Sequence, residues 1–380
     1  MTATLAAWLH DIGPFVLRFT DHFGIRWYGL SYIAGFLIAG LMMHRMATRG
    51  LLRVPPDRVF DALIMLVGGV VIGGRLGYVF LYQPSLLWTF EPAFPFWGLL
   101  MITRGGMASH GGMLGVIVAA WLVSRGFKDE SGRRVGACPP LHVMDAIALT
   151  APIGLGLGRL ANFINGELLG RVVARAGEPA PWWAVRFPQE HLSGHEAPLT
   201  ASQEVELVRL VTEHRLPNDP EADWFEFAYG RVLDKLHAGS AEIAARLEPL
   251  VSARHPSQLY QLFAEGMVTL AVAWFVFRRP RKPGVVGAWF LITYGIGRVV
   301  TEFWRLPDDH FKGAGLLDSA RPMGLSRGQW LSVLMVGAGV ALLVVVSRRA
   351  AERMRGWGSV LPAEAGDAHG DRDARRDQGE

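Results

Sequence analysis

The stretch Gly158-Arg159-Leu160-Ala161-Asn162-Phe163-Ile164-Asn165-Gly166-Glu167-Leu168-Leu169-Gly170-Arg171 places two arginines, two asparagines and a glutamate at the end of an apolar segment. That segment, 142–163, is long enough to cross a bilayer as a helix. Charged and amide groups at that depth are costly, so by default they mark a functional site. We therefore interpret the rest of the chain as scaffold or partner for this stretch.

The composition is that of a polytopic membrane protein. Of 380 residues, 51% are hydrophobic and only 19% are charged. The single cysteine, Cys138, excludes an intrachain disulfide and a cysteine-based metal site. The net charge of +4 is small and indicates membrane topology, not nucleic-acid binding. Because no basic region followed by a small-residue cleavage site opens the chain, no removable signal peptide is predicted.

Seven apolar segments predict an all-α polytopic membrane protein with seven transmembrane helices. The third is the least regular, because glycines and His110 crowd its start. Arginines and lysines concentrate in alternate connections and after the seventh segment, which predicts an outside N-terminus and a cytoplasmic C-terminus. The segments lie near 28–47, 59–82, 107–125, 142–163, 257–278, 284–304 and 328–347.

A soluble insertion interrupts this pattern, since acidic residues outnumber basic ones between Phe187 and Arg254. Amphipathic helices are predicted there around Val205–Val211 and Ile243–Leu247. Its histidines lack metal-ligand spacing and are interpreted as surface residues. The predicted organisation is an interfacial segment 1–26, helices one to four with the signature loop in 27–186, the extracytoplasmic insertion 187–254, helices five to seven in 255–348, and a disordered cytoplasmic tail 349–380.

With this topology the polar residues of the spans converge on the outer side of the membrane, which predicts one polar cluster there. Each member also has a simpler interpretation. Arg298 and Glu302 lie four residues apart and form an intrahelical ion pair in that alternative. His110 caps a glycine turn, and Arg75 neutralises a carboxylate. The cluster comprises Tyr28, Arg75, Tyr78, His110, Arg159, Asn162, Asn165, Glu167, His255, Gln258, Tyr260, Arg298 and Glu302.

Arg159 has the strongest functional signal in this set. It shares a helix face with Asn162, close to a glycine-rich turn with free backbone N–H groups. A planar, permanently charged guanidinium beside such donors suits a phosphate. Asp145 is interpreted as structural, and Glu265 stays open.

Six motifs in order resemble the signature of bacterial prolipoprotein diacylglyceryl transferases across residues 26 to 310. Two positions depart from the family pattern: Ala161 stands where the family usually has Gly, and Gln261 where it usually has Glu. The insertion around 190–253 is also longer than usual. The motifs are Arg26-Trp-Tyr-Gly-Leu30, Gly74-Arg-Leu-Gly-Tyr78, His110-Gly-Gly112, the stretch Gly158–Arg171, Arg254-His-Pro-Ser-Gln-Leu-Tyr260 and Tyr294-Gly-Ile-Gly-Arg-Val-Val-Thr-Glu302.

The resemblance implies a seven-span enzyme of the bacterial inner membrane that needs no cofactor or metal. Such an enzyme transfers the diacylglyceryl group of phosphatidylglycerol to the lipobox cysteine in the signal peptide of a prolipoprotein. This first step of lipoprotein maturation forms a thioether and releases glycerol phosphate. Because the nucleophilic thiol belongs to the substrate, we expect Cys138 to be dispensable.

The residues fit that chemistry. Arg159 and Arg298 are expected to stabilise the phosphate leaving group, with Asn162 adding neutral donors. The thiol must lose its proton, and His110, Glu167 and Glu302 are the alternatives for the acceptor. The remaining substrate-binding candidates are Tyr28, Arg75, Asn165, Gly170, His255 and Tyr260.

Two rival functions stay open at this point. Charges and glycines inside spans are also typical of a transporter of an anionic or lipid substrate. However, the chain shows no internal repeat, and the charges lie on one side instead of at the midplane. A non-catalytic membrane assembly factor that docks through its insertion is the third alternative. Neither alternative explains six ordered motifs.

Overall fold

A computed structural model describes residues 7–19, 24–92, 94–102, 105–194, 197–306 and 325–358. These residues are mostly helical. The helices are α1 (Trp27–Thr48), α2 (Val59–Leu81), α3 (Ser109–Ser124), α4 (Pro140–Asn165), α5 (Ala201–Thr212), α6 (Trp224–His237), α7 (Ala241–Leu247), α8 (Ser257–Gln261), α9 (Thr269–Phe277), α10 (Val285–Thr301) and α11 (Arg327–Arg348).

All seven predicted segments are helical, because a backbone in lipid must satisfy its hydrogen bonds within the segment. Within the described residues, five helices are long and apolar enough to cross a membrane, so the chain is a multi-pass membrane protein. The third and sixth segments form the shorter helices α3 and α10, of 16 and 17 residues. The five are Trp27–Thr48, Pro56–Leu81, Pro140–Asn165, Ser257–Phe277 and Gly328–Arg348.

The fifth segment is not a regular α-helix. Between α8 and α9, residues Leu262–Val268 form a π-helix, a local widening that often occurs at functional sites. Gly266 lies within it and touches α4, where a Cβ on Gly266 would be 2.9 Å from the Cα of Gly156. A side chain at Gly266 would push the two helices apart, so this glycine sets how closely the π-helix approaches α4.

The residues divide into two compact units. One comprises residues 40–149, 273–287 and 343–380. In it α2 and α3 pack closely, with the backbone of Gly73 against Gly111 and Gly115, because glycines spaced four apart let two helix backbones approach each other. Asp145 is structural, as predicted: its carboxylate accepts hydrogen bonds from the backbone N–H groups of Gly284 and Gly287, each at 2.7 Å, and so caps the start of α10.

The described part of the C-terminal tail belongs to this unit and has defined partners. Met354 pairs with Arg281 in an isolated β-bridge, and Trp357 donates its backbone N–H to the carbonyl of Phe277 at 3.0 Å. The Trp357 ring also lies 4.9 Å from that of Trp274. The predicted disordered tail 349–380 therefore has fixed contacts up to residue 358, and 359–380 lie outside the described residues.

The other unit comprises residues 1–39, 150–272 and 288–342, and it contains a sheet that the all-α prediction missed. The sheet has the order β1-β7-β8-β6, with β1 parallel to β7 and the other pairs antiparallel. Strand β1 comes from the predicted interfacial segment, and its Leu9 packs against the hydrophobic core of the insertion, so that segment is joined to the insertion. The strands are β1 (Trp8–Leu9), β2 (Phe15–Arg18), β3 (Gly24–Arg26), β4 (Phe127–Lys128), β5 (Arg134–Val135), β6 (Val172–Ala174), β7 (Val185–Arg186) and β8 (Ala253–Arg254), of which β4 and β5 belong to the unit described before.

Three helices build the core of the insertion. The amphipathic patterns correctly predicted α5 and α7, but α6 was not predicted. Leu210 of α5, Tyr229 and Val232 of α6, and Leu247 of α7 are fully buried against one another. A small hydrophobic core of this kind is typical of soluble domains and differs from the lipid-facing helices.

Candidate active site

The signature stretch ends helix α4 in a tight turn that presents a carboxylate. Gly166 has a φ of +65° and Leu168 a φ of +55°, so the chain reverses sharply around Glu167. The side-chain amides of Asn162 and Asn165 donate to the two carboxylate oxygens of Glu167, at 3.1 and 3.2 Å. The amides therefore hold an exposed carboxylate in one orientation.

Helix α8 fastens this turn from its other side. The side-chain amide of Gln258 donates to the backbone carbonyl of Glu167 at 2.5 Å, and the hydroxyl of Ser257 donates to that of Leu168 at 3.1 Å. Both side chains are fully buried. The motif at 254–260 thus has a clear role in the structure, because it holds the backbone of the signature turn.

Arg159 pairs with Glu265, the residue whose role the sequence did not decide. Its Nη2 and Nε lie 3.0 and 3.3 Å from Oε2 of Glu265, which is 0% exposed in the π-helix. The other oxygen of Glu265 accepts a hydrogen bond from the hydroxyl of Thr301 at 3.1 Å. Glu265 therefore connects α4 to the end of α10 and fixes the direction of the Arg159 guanidinium.

Arg298 joins the same carboxylate and a second one. Its Nη2 lies 3.0 Å from Oε2 of Glu302, the ion pair that the simpler alternative interpretation named. Its Nη1 lies 3.6 Å from Oε1 of Glu265, beyond hydrogen-bond distance. Arg305 lies 3.6 Å from Glu302. We call Arg159, Arg298, Arg305, Glu265 and Glu302 the arginine cluster.

The arginine cluster carries three guanidinium groups against two carboxylates. Arg159 and Arg298 keep side-chain exposures of 18% and 15%, whereas Glu265 is enclosed. The most accessible groups of the cluster are therefore the guanidinium groups of Arg159 and Arg298, and Glu265 supports both of them from behind. Fixed cations in a site of low polarity are suited to an anion or to charge that develops on a leaving group.

Gly170 occupies a crowded crossing of three backbone segments. It pairs with Arg305 in an isolated bridge, and the next residue, Arg171, donates its N–H to the carbonyl of Trp304 at 2.9 Å. A Cβ on Gly170 would collide with the backbone carbonyl of His255. Only glycine fits there, so Gly170 acts through packing that brings the signature turn against the end of α10.

His255 and Tyr260 line a small aromatic cavity of about 340 Å³, together with Trp183 and Trp304. Nδ1 of His255 lies 3.3 Å from the hydroxyl of Tyr260. Burial, followed by the nearby positive charge of Arg171, lowers the pKa of His255. The imidazole is therefore held in its neutral form.

Tyr28 belongs to the same unit, at the start of α1. Its ring packs edge-on against that of Tyr32 with centroids 5.0 Å apart, and the two hydroxyls lie 3.2 Å apart. Both hydroxyls remain able to bind a further polar group.

Arg75 and His110 belong to the other unit. The guanidinium of Arg75 donates to four backbone carbonyls, those of Gly98, Leu99, Gly105 and Gly106, at 2.5, 2.7, 2.7 and 3.0 Å. Arg75 thus holds the loop before α3 through backbone carbonyls. The alternative interpretation had assigned it the neutralisation of a carboxylate instead. His110 lies in the first turn of α3 and is exposed.

Sequence reasoning missed several members of the site. Glu265 gave a usable signal, because a carboxylate inside an apolar span needs a partner. Arg305, Trp183 and Trp304 gave none, since their proximity to the site depends on chain segments far apart in sequence. Among the described residues, no group of three or more histidines, cysteines or acidic residues is arranged to hold a metal ion.

Comparison with known proteins adds an independent finding. The model of the prolipoprotein diacylglyceryl transferase family matches residues 14–345. A phosphatidylglycerol–prolipoprotein diacylglyceryl transferase from Bdellovibrio bacteriovorus is 37% identical over 364 residues, 92% of this chain and 97% of that protein. Proteins of the same name from Neisseria gonorrhoeae and Chromobacterium violaceum are 37% and 35% identical, over 87% and 86% of this chain and 94% and 93% of their own lengths.

Proposed function

We infer the activity from one premise: the chain belongs to the prolipoprotein diacylglyceryl transferase family. It is a membrane transferase of lipoprotein maturation, with phosphatidylglycerol as donor and a prolipoprotein as acceptor. The observation that supports this activity best is the arginine cluster, because the reaction creates a phosphate monoester as its leaving group.

We propose that the acceptor is the lipobox cysteine and that its thiolate is the nucleophile. The sulfur attacks the glyceryl carbon that carries the phosphate, so a C–S bond forms and the C–O bond to phosphate breaks. The electron pair of that bond leaves on the phosphate oxygen, and glycerol phosphate departs. The thiol proton passes to a base of the enzyme. The products are a thioether and glycerol phosphate, with no change of oxidation state.

Arg159 and Arg298 bind the phosphate in this proposal. Their guanidinium groups donate in plane to two phosphate oxygens each, and Glu265 keeps them pointed at one place. Because they are fixed before the reaction, little reorganisation is needed when negative charge develops on the leaving oxygen. Nη1 of Arg298, buried and without a hydrogen-bond partner among the described residues, is a donor suited to that oxygen.

Three residues were alternatives for the proton acceptor, and we propose His110. The two oxygens of Glu167 already accept hydrogen bonds from Asn162 and Asn165, so both are engaged. Glu302 is likewise engaged, by Arg298 and Arg305. His110 is exposed, and an imidazole is the side chain used most often as a general base. Glu167 then serves to orient substrate hydroxyl groups, beside the substrate-binding candidates Tyr28 and Asn165.

We also propose the finer topology. Seven spans in the bacterial inner membrane, an outside N-terminus, an extracytoplasmic insertion and a cytoplasmic C-terminus are supported by the alternating basic connections. The soluble core of α5 to α7 supports an aqueous location for the insertion. Single cysteines introduced at Ala245 and at Arg279, in a Cys138→Ser background, test this: a membrane-impermeant maleimide added to intact spheroplasts should label the first and not the second.

The activity is tested by giving the purified enzyme phosphatidylglycerol and a lipobox peptide and following the peptide mass. The expected result is a gain of one diacylglyceryl unit, absent when the peptide cysteine is replaced by serine. A folded enzyme that leaves the peptide mass unchanged would refute the transferase and favour transport or assembly. Cys138→Ser should transfer as well as the unmodified enzyme.

A further inference from the structure

Residues 349–358 follow helix α11 and are held along the connection between α9 and α10. The backbone N–H and C=O of Met354 both bond to Arg281, at 2.8 and 3.1 Å. Gly356 is buried against the backbone of Arg279, which leaves no room for a Cβ. We call residues 349–358 the basic strap, because three arginines lie in it.

Trp357 fixes the basic strap to two helix ends. Its ring lies 4.9 Å from that of Trp274 in α9, and the guanidinium of Arg49, just after α1, lies 4.7 Å from its centre. Stacking on a ring uses the face of a guanidinium and leaves the N–H donors at its edge able to bind an anion. Arg355 reaches the residue next to Arg49, since its Nη1 would lie 4.0 Å from a Cβ on Gly50. Two guanidinium groups are therefore held beside one indole.

The surface around Trp357 carries positive charge with little counter-charge. Within the described residues, Arg49 and Arg355 form no ion pair. Glu352 is the one carboxylate of the basic strap, and it lies 3.4 Å from Arg53 in a pair exposed to solvent, which neutralises little charge. The exposed arginines of the strap and of the segment paired with it are Arg278, Arg279, Arg281, Arg349, Arg353 and Arg355.

Membrane orientation accounts for the number of these basic residues but not for their fold. Positive charges orient a helix through their sign and require no fixed contacts. Here the strap is paired through its backbone, and Nζ of Lys282 donates to the carbonyls of Ser347 and Arg349 at 2.9 and 2.6 Å. Guanidinium groups held in a fixed array are suited to a phosphate, because they donate to it in plane.

The position of the array selects the kind of phosphate. The basic strap contacts the ends of the apolar helices α1, α9 and α11, and the ends of membrane spans lie at the level of the lipid headgroups. Phe275 of α9 is 64% exposed, and the guanidinium of Arg278 lies 5.5 Å from its ring. The surface thus offers an apolar side chain beside its charges. A phospholipid matches both features, whereas a soluble anion matches the charge alone.

We propose that the basic strap, together with Arg49 and the end of α9, binds the headgroup of an anionic phospholipid in the leaflet that it faces. By the topology proposed above, this is the cytoplasmic leaflet. The bound lipid stabilises the packing of the strap against the helix ends, as any ligand of the folded state does. The lipid site goes beyond the proposed function and does not depend on it, because none of its residues belongs to the arginine cluster.

The test counts lipids bound to the purified full-length protein by native mass spectrometry. The probes are phosphatidylserine and phosphatidylcholine with the same acyl chains, so they differ in net charge. Arg49→Gln/Arg355→Gln removes two charges from the site. Lys128→Gln/Arg133→Gln is the matched control, because it removes two charges from another exposed basic connection, the one between α3 and α4. Both variants keep the arginine cluster, so lipid bound there cancels from the comparison.

We expect the unmodified protein to prefer phosphatidylserine to phosphatidylcholine. Arg49→Gln/Arg355→Gln should raise the Kd for phosphatidylserine about 25-fold, at roughly 5-fold for each arginine near an anionic headgroup. Trp357→Ala releases the basic strap without changing a charge and should raise that Kd about 5-fold or more, since Arg355 is then no longer held in place. The control variant should match the unmodified protein. Melting temperatures show that each variant is folded, and lipid transfer in detergent should be unchanged in all of them.

Four results would overturn the inference. Equal losses in the site variant and the control would show that any surface charge attracts the lipid. Equal binding of the two lipids by the unmodified protein would show no selection for charge, and full affinity in Trp357→Ala would show that the basic strap does not build the site. Displacement of the lipid by glycerophosphoserine, the same headgroup without acyl chains, at equal concentration would indicate a site for soluble anions instead. A protein that binds phosphatidylserine through the strap but transfers no lipid would refute the proposed function alone, so the two failures are distinguishable.

Discussion

Glu265 offers the sharpest test of how the site is built. It is fully enclosed, and its two oxygens lie 3.0 Å from Arg159 and 3.6 Å from Arg298. At an effective dielectric constant of ~20, each contact corresponds to about 5 kcal/mol of attraction before desolvation is subtracted. Removing one partner from a buried ion pair typically costs about 3–5 kcal/mol, because a buried charge is left without compensation.

Glu265→Gln keeps the shape and the hydrogen bond from Thr301 and removes only the charge. The two guanidinium groups then repel each other, so we expect a loss of about 3–5 kcal/mol of stability. We also expect a fall in kcat of about 100-fold or more, as when a preorganised donor is lost from an active site. The assay is lipid transfer to a lipobox peptide, normalised to the folded fraction from a thermal melt.

Glu190→Gln is the matched control. Glu190 is also enclosed and pairs with a buried arginine, its Oε2 lying 2.7 Å from Nε of Arg254. It likewise accepts a hydrogen bond from the backbone N–H of Ser252 at 2.7 Å. Its loss should destabilise the protein comparably and leave kcat per folded molecule unchanged. Equal kcat values for the two variants would refute the view that Glu265 positions the arginines for catalysis.

Three further predictions follow from single contacts. Arg159→Lys should lower kcat/KM for phosphatidylglycerol about 100-fold, because an ammonium cannot donate in plane to two oxygens, and rates across lipid concentrations measure this. Arg75→Leu should cost roughly 3 kcal/mol and speed amide exchange around Gly98 and Gly105, since four carbonyls lose their donor. His10 is fully buried, and burial, followed by the nearby His237, lowers its pKa to about 4. The unfolded chain therefore binds one proton more than the folded protein between pH 6.5 and 4, so the free energy of unfolding falls as the pH is lowered through that window. His10→Phe should remove about 3 kcal/mol of that fall. The measurement compares how far the melting temperature of each protein drops as the pH is lowered through the window.

The helical framework was predictable because the physics that creates it is local. Lipid offers the backbone no hydrogen-bond partners, so a long apolar run has to satisfy its own N–H and C=O groups as a helix. The Arg298–Glu302 pair was predictable for a similar reason, since residues four apart share a helix face. The amides of Asn162 and Asn165 lie within five residues of the Glu167 that they hold, so that contact is local as well.

The sequence by itself therefore determined the apolar helices, the polar signature turn and, through six ordered motifs, the family. Only the tertiary structure decided that Glu265 stands between Arg159 and Arg298, because a buried carboxylate can pair with an arginine on any helix that reaches it. The same is true of strand β1, which pairs with β7 across more than 170 residues, and of Trp183 and Trp304 in one aromatic cavity. Contacts between distant segments depend on how whole elements pack, and no local pattern of residues records that packing.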